Sequence, residues 1–129
     1  MEKIAFRSDQ LGYLHNGACA ESFREFYKTT HGLFDITLPN DRDFSAHCEL
    51  LRVGAAAIEL MTGTIECVAR TASNIATDPS DLFCFLVNIG APRLMCSQKG
   101  NEILLDRGAA TLLTRAQSTA KASPASSPF

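Results

Sequence analysis

Residues 82–89 read Leu82-Phe83-Cys84-Phe85-Leu86-Val87-Asn88-Ile89, and every position except Asn88 is apolar. The run is bounded by Asp78-Pro79-Ser80-Asp81 before it and Gly90-Ala91-Pro92 after it, both compositions that favour turns. Eight residues between turn signals are short for a helix and the usual length of a strand. With no polar face, the run predicts a central strand covered on both sides.

The segments on either side also read as strands. Downstream, Leu94 to Gln98 and Glu102 to Leu105 flank Lys99-Gly100-Asn101, which predicts a hairpin with a glycine at positive φ. Asp106-Arg107-Gly108 predicts the next turn, and Ala110 to Thr114 the next strand. Upstream, Ile65, Cys67 and Ala69 alternate with Glu66 and Arg70, a half-buried strand with the arginine on its polar side. In residues 55–61 the run Ala55-Ala56-Ala57 suits a helix, but Ile58, Leu60 and the following Thr62-Gly63 favour a strand and a turn. Phe44, Ala46, Cys48 and Leu50 alternate with Ser45, His47 and Glu49, another strand with His47 facing water.

Before Gly32 the period changes from 2 to 3.6. Phe23, Phe26 and Tyr27 fall at helical spacing, with Cys19 one turn earlier on the same face. Glu21, Arg24, Glu25 and Lys28 supply the polar side. Asn16 can cap the start and Gly32 the end, so the spacing predicts a helix over 18–31 that docks on a core. One N-terminal helix followed by six or seven short strands defines a mainly β fold, a sandwich or barrel. The absence of β–α alternation argues against a doubly wound sheet. From Ala116 to Phe129 the chain turns small, polar and proline-bearing, which predicts a disordered Ala/Ser/Pro tail behind one domain over 1–115.

Composition narrows the function. A chain of 129 residues with a net charge of −2 has the size of one domain and lacks the positive field that holds a phosphate backbone. No run of about 18 apolar residues suggests a membrane span, and the start has no apolar segment of signal-peptide length, so the expected location is cytoplasmic. Five cysteines, at 19, 48, 67, 84 and 96, contain no C-x-x-C and suggest neither a disulfide framework nor a zinc site. They read as small buried hydrophobes; only Cys96, near Arg93 and Lys99, has cations close in sequence. His15, His31 and His47 form no metal-binding pair, and no metal or cofactor is expected. There is no P-loop, no G-x-G-x-x-G and no G-x-S-x-G. Asp41, Asp43, Asp78 and Asp81 read as solvated turn residues. Arg70, followed by Thr71 and Asn74, either anchors an anionic ligand through its planar fork or ties down a neighbouring Asp or strand end; the tie is the preferred reading.

The order of these pieces carries a resemblance. Val68-Ala69-Arg70-Thr71 precedes a polar loop and then Leu82 to Gly90. Cys96-Ser97-Gln98-Lys99-Gly100-Asn101-Glu102-Ile103-Leu104-Leu105 follows, and then Arg107-Gly108-Ala109-Ala110-Thr111-Leu112-Leu113. With the helix bearing Phe23, Phe26 and Tyr27 and the sequence Gly32-Leu33-Phe34-Asp35, the stretch from about 7 to 115 resembles the N-terminal ligand-binding-like domain of AraC/XylS-type bacterial transcription regulators. The turn at Arg107-Gly108-Ala109 departs from the proline, glycine and aspartate usual in that family.

The resemblance implies a cupin-like β-barrel or sandwich, here incomplete, and a transcription-control protein rather than an enzyme. It implies an effector-binding or dimerisation domain without its helix-turn-helix half, hence no DNA binding by this chain alone. A small-molecule effector would sit among the central strands near Cys84, Leu86, Cys96 and Gln98, with Arg70 as anionic anchor. The strand Ala110–Thr114 is expected at an edge, so self-association is expected too. The alternatives are a small metal-dependent cupin enzyme, for which clustered His and Glu ligands are missing, and a ligand-free interaction module whose interior is filled by side chains.

Overall fold

The computed structural model describes residues 2–11, 16–38, 44–90 and 92–122. Among them the fold is mainly β, as the periodicity predicts. In chain order it comprises β1 (Glu2–Arg7), a 3-10 turn (Ser8–Leu11), α1 (Asn16–His31), β2 (Asp35–Thr37), β3 (Ala46–Val53), β4 (Ala56–Gly63) and β5 (Cys67–Arg70). Then follow α2 (Ala72–Thr77), β6 (Phe83–Val87), β7 (Leu94–Gln98), β8 (Asn101–Leu105), β9 (Ala110–Thr114) and β10 (Thr119–Ala122). The chain divides into two compact units, one running up to Thr30 and including Leu38–Ile65, the other built from His31–Thr37 and Glu66 onward. No helix among the described residues is long and apolar enough to cross a membrane.

The first unit is an antiparallel sheet in the order β1-β3-β4 together with the body of α1. The helix buries Cys19, Ala20, Phe23 and Tyr27, and β3 buries Ala46, Cys48 and Leu50, the faces read from the spacing. β1 was not expected; only Ile4 and Phe6 mark its inner face, too short a pattern to stand out. Phe6 lies opposite Cys48 in the register and brings its ring to 5.2 Å from Phe23, edge to face. Phe44 and Tyr27 add rings at 5.5 and 5.9 Å from Phe23, so aromatic contacts centre on that residue. Gly63, at φ +146°, lies against the Ser45 carbonyl and leaves no room there for a side chain. His47 faces outward beside the carboxylate of Asp9, as expected of a solvated histidine.

The second unit holds a five-stranded sheet in the order β2-β5-β10-β7-β8 and a separate two-stranded ribbon, β6-β9. The hairpin β7–β8 turns through Lys99 and Gly100, both at positive φ, the geometry that a two-residue hairpin loop requires. The tail expectation fails at its near end. Thr119–Ala122 is a strand in the middle of the sheet, with Lys121 opposite Val68 of β5 on one side and Cys96 of β7 on the other. Its residues are small and polar because backbone pairing on both sides holds it, and little side-chain burial is asked of it. Residues 123–129 lie outside the described residues, as do His15, Asp41 and Asp43.

Two further expectations change. The run 82–89 is not a central strand. Among the described strands β6 pairs only with β9, and Phe83, Phe85 and Val87 point outward, exposed, while Cys84 and Leu86 are half-buried. An apolar composition on both faces allows double coverage but does not enforce it. In β5 the parity is reversed: Val68 and Arg70 are the buried pair, and Cys67 and Ala69 are half-buried. Arg70 can occupy the inner face because its charge and donors are met there. β9, with one hydrogen-bonded neighbour among the described strands, does lie at an edge.

Candidate functional site

Arg70 ends β5 and is 1% exposed, the largest fully buried side chain among the described residues. Its Nε donates to the Arg115 carbonyl at 2.8 Å, and Nη1 donates to the Leu33 carbonyl at 3.1 Å and to Asp78 Oδ2 at 3.4 Å. Nη2 donates to the Asp78 carbonyl. Every guanidinium nitrogen is therefore engaged, and the fork gathers the stretch after Gly32, the end of α2 and the turn after β9. A buried cation is tolerable when its donors are all met and a carboxylate lies alongside.

Local sequence explains the partners. Thr71 caps α2, its hydroxyl accepting from the Asn74 backbone N–H at 3.1 Å, and the short helix ends by presenting Asp78. The sequence reads as a polar loop here, because the stripe Ala72, Ile75 and Ala76 spans less than two helical turns and has one large apolar side chain. Asp78 Oδ2 also accepts from the Leu33 backbone N–H at 3.0 Å and lies 3.8 Å from Arg115 Nη2. Arg115 in turn donates to the His31 carbonyl. Gly32, at φ +91°, is held close to both Asp78 and Arg115, so a side chain there is strained by conformation and displaces the Asp78 carboxylate or the Arg115 guanidinium. Phe34 receives three cations on its ring, Arg115 at 5.1 Å, Arg70 at 5.6 Å and Lys121 at 6.0 Å from the centroid.

Asp78 is thus not a solvated turn residue. The Leu33 N–H holds its carboxyl below the usual carboxylate range, Arg70 and Arg115 add to that, and partial burial opposes it. A depressed folded value gives stability that is present above the unfolded pKa of about 3.9 and is lost as the pH falls through the folded one. The wild-type chain is therefore expected to lose stability below about pH 4, and Asp78→Asn to be less stable at pH 7 with a flatter acid limb. Urea midpoints measured from pH 2 to 7 check this; parallel acid limbs for the two proteins would refute it.

Of the five residues nominated as a ligand site, Arg70 is committed to the internal tie. Gln98 is committed likewise: its Nε2 donates to the Thr114 carbonyl at 2.8 Å and its Oε1 accepts from the Thr114 N–H at 3.3 Å, a clasp from β7 to β9. Asn88, buried at the end of the apolar run, is a second clasp. It donates to the Pro92 and Leu105 carbonyls at 2.9 and 2.8 Å, and its Oδ1 accepts from the Gly90 N–H. Cys84 and Leu86 share the inner face of β6, and Cys84 lies near enough to Cys96 to raise the latter's pKa. The polar groups nominated beside them, Arg70 and Gln98, bond to the protein's own backbone and, for Arg70, to the Asp78 carboxylate.

Cys19, Cys48 and Cys96 are buried, and Cys67 and Cys84 are half-buried. Burial pushes the thiols of Cys67 and Cys96 up, and burial with Glu59 alongside pushes Cys48 up to about 12. The cation that acts on Cys96 is Lys121, across the strand pair. Arg93, its neighbour in sequence, pairs with Asp106 at 2.9 Å. An open, shallow groove of about 430 Å³ runs between α2 and the turn after β9, lined by Ile75, Pro79, Ser80, Asp81 and Ala116, none of them nominated from sequence.

The fold and site define a mainly β protein whose most elaborate polar constellation is an internal tie. Comparison with protein-family models, curated proteins and solved structures finds no match to the chain.

Proposed function

We propose that the chain is a cupin-like regulatory domain of the AraC type that acts through self-association, is cytoplasmic, has no catalytic activity and makes no DNA contact of its own. One observation carries the reading. The stretches whose order resembles that family fall on successive structural pieces: β5, then β6, the β7–β8 hairpin and β9. The choice of self-association over effector binding rests on the polar side chains of the nominated pocket. Arg70 and Gln98 have their hydrogen-bonding groups met by carbonyls and N–H groups of the same unit, which leaves a ligand little to exchange for.

A fusion experiment tests the reading. The chain replaces the dimerisation domain of a repressor whose operator affinity requires two copies. Repression of a reporter is the expected result, together with no stoichiometric transition metal in the purified chain. A fusion that is expressed but does not repress removes the self-association reading, and bound metal at one per chain revives a metal-dependent enzyme.

A further inference from the structure

The β6-β9 ribbon presents one face with no polar group larger than a threonine. Phe83, Phe85 and Val87 of β6 and Leu112 of β9 are all exposed on it, with Phe83 at 69% and Phe85 at 71%. Ala110 lies opposite Val87, and Ile89 continues the odd-numbered row just past the strand. Neither strand contains a charged residue. The other edge strands described, β1, β2, β4 and β8, each carry at least one charge, Arg7, Asp35, Glu59 and Glu102 among them, of the kind that discourages association. The ribbon has no such guard.

Resting on the self-association reading above, we propose that this face is where two copies of the chain meet, packed ribbon against ribbon about a twofold axis with Phe85 beside it. Three features select a second copy as the occupant. An uncharged face fits an equally uncharged face, and the nearest available one is its own. The register is centred on the Phe85–Leu112 pair, the middle residue of each strand, so a twofold axis at that point superposes the patch on itself. The area is also sufficient. Taking about 200 Å² for a whole Phe and less for the aliphatics, the patch exposes roughly 500 Å² per chain, and two copies bury about 1,000 Å² together, the threshold of a specific though weak interface. The dimer is accordingly expected to be concentration-dependent.

The axis makes the test sharp, because a charge at Phe85 meets its own copy. Sedimentation velocity on the full chain from about 1 to 500 μM covers the range in which such an interface saturates. The wild type is expected to shift from monomer to dimer. Phe85→Glu and Phe85→Lys are each expected to weaken association at least about 10-fold, and an equimolar mixture of the two to restore it. Leu112→Glu, on the paired strand, repeats the loss independently. Circular dichroism melts confirm folding of each variant, since both positions are exposed. Wild-type dimers indifferent to all three substitutions overturn the surface and leave the self-association reading standing. A wild type that stays monomeric throughout overturns both. A monomer that binds phosphatidylcholine vesicles and loses that binding with Phe85→Glu gives the face to a lipid surface and likewise overturns the proposal.

Discussion

Arg70→Met is expected to cost about 3–5 kcal/mol, enough to consume a large part of the stability of a domain this size. Methionine matches the volume of the arginine stem but supplies no donor. The carbonyls of Leu33, Asp78 and Arg115 then lose their partner together, and each unsatisfied buried acceptor costs about 1–3 kcal/mol. The Asp78 carboxylate suffers less, because it is partly exposed and water can replace the guanidinium. Arg70→Lys is expected to recover only part of the loss: one ammonium cannot reach acceptors that the planar fork serves from three nitrogens. Denaturant midpoints for wild type, Arg70→Met, Asp78→Asn and the double variant measure these terms. A cost under about 1 kcal/mol for Arg70→Met would sink the internal tie and return Arg70 to the role of ligand anchor.

That tie shows where sequence reasoning succeeds and stops. Arg70 stands out in the sequence because it ends a strand, and the preferred reading there is a tie to a neighbouring Asp or strand end. Asp78, eight residues on, is that partner. The Leu33 and Arg115 carbonyls, 37 and 45 residues away, belong to backbone positions with no side-chain signature, and nothing short of the fold brings them in. Elements with strong periodicity were legible: α1 from its aromatic stripe, β3 from Ala46, Cys48 and Leu50, and the β7–β8 hairpin from Gly100. β10 was not, because a strand paired on both sides can be built of Thr, Ala and Lys, and hydrophobic pattern reports burial rather than pairing. The same distinction explains β6. Its composition reports that both faces are apolar, but only the topology says that one of them is uncovered.

Phe23→Ala is the second large effect, about 3–5 kcal/mol in the first unit. Phe23 is wholly buried in the middle of α1 and is met by Phe6 from β1, Phe44 ahead of β3 and Tyr27 one turn along the helix. Truncation removes the transfer energy of a whole ring, leaves a cavity among residues on three segments, and forfeits aromatic pair contacts worth about 0.5–1.5 kcal/mol each. Phe23→Leu keeps most of the volume and is expected to cost about half as much. Denaturant midpoints give the size of the loss, and hydrogen exchange gives its place, with protection falling in α1 and β3. The control is the same residue type in the opposite environment. Phe83→Ala, on the exposed ribbon, is expected within about 0.5 kcal/mol of wild type in the monomer. A phenylalanine that contributes nothing to the monomer yet weakens association when removed would separate a surface kept for a partner from a core kept for folding. Equal losses at Phe23 and Phe83 in dilute solution would mean that the ribbon is covered within the monomer and free for no partner.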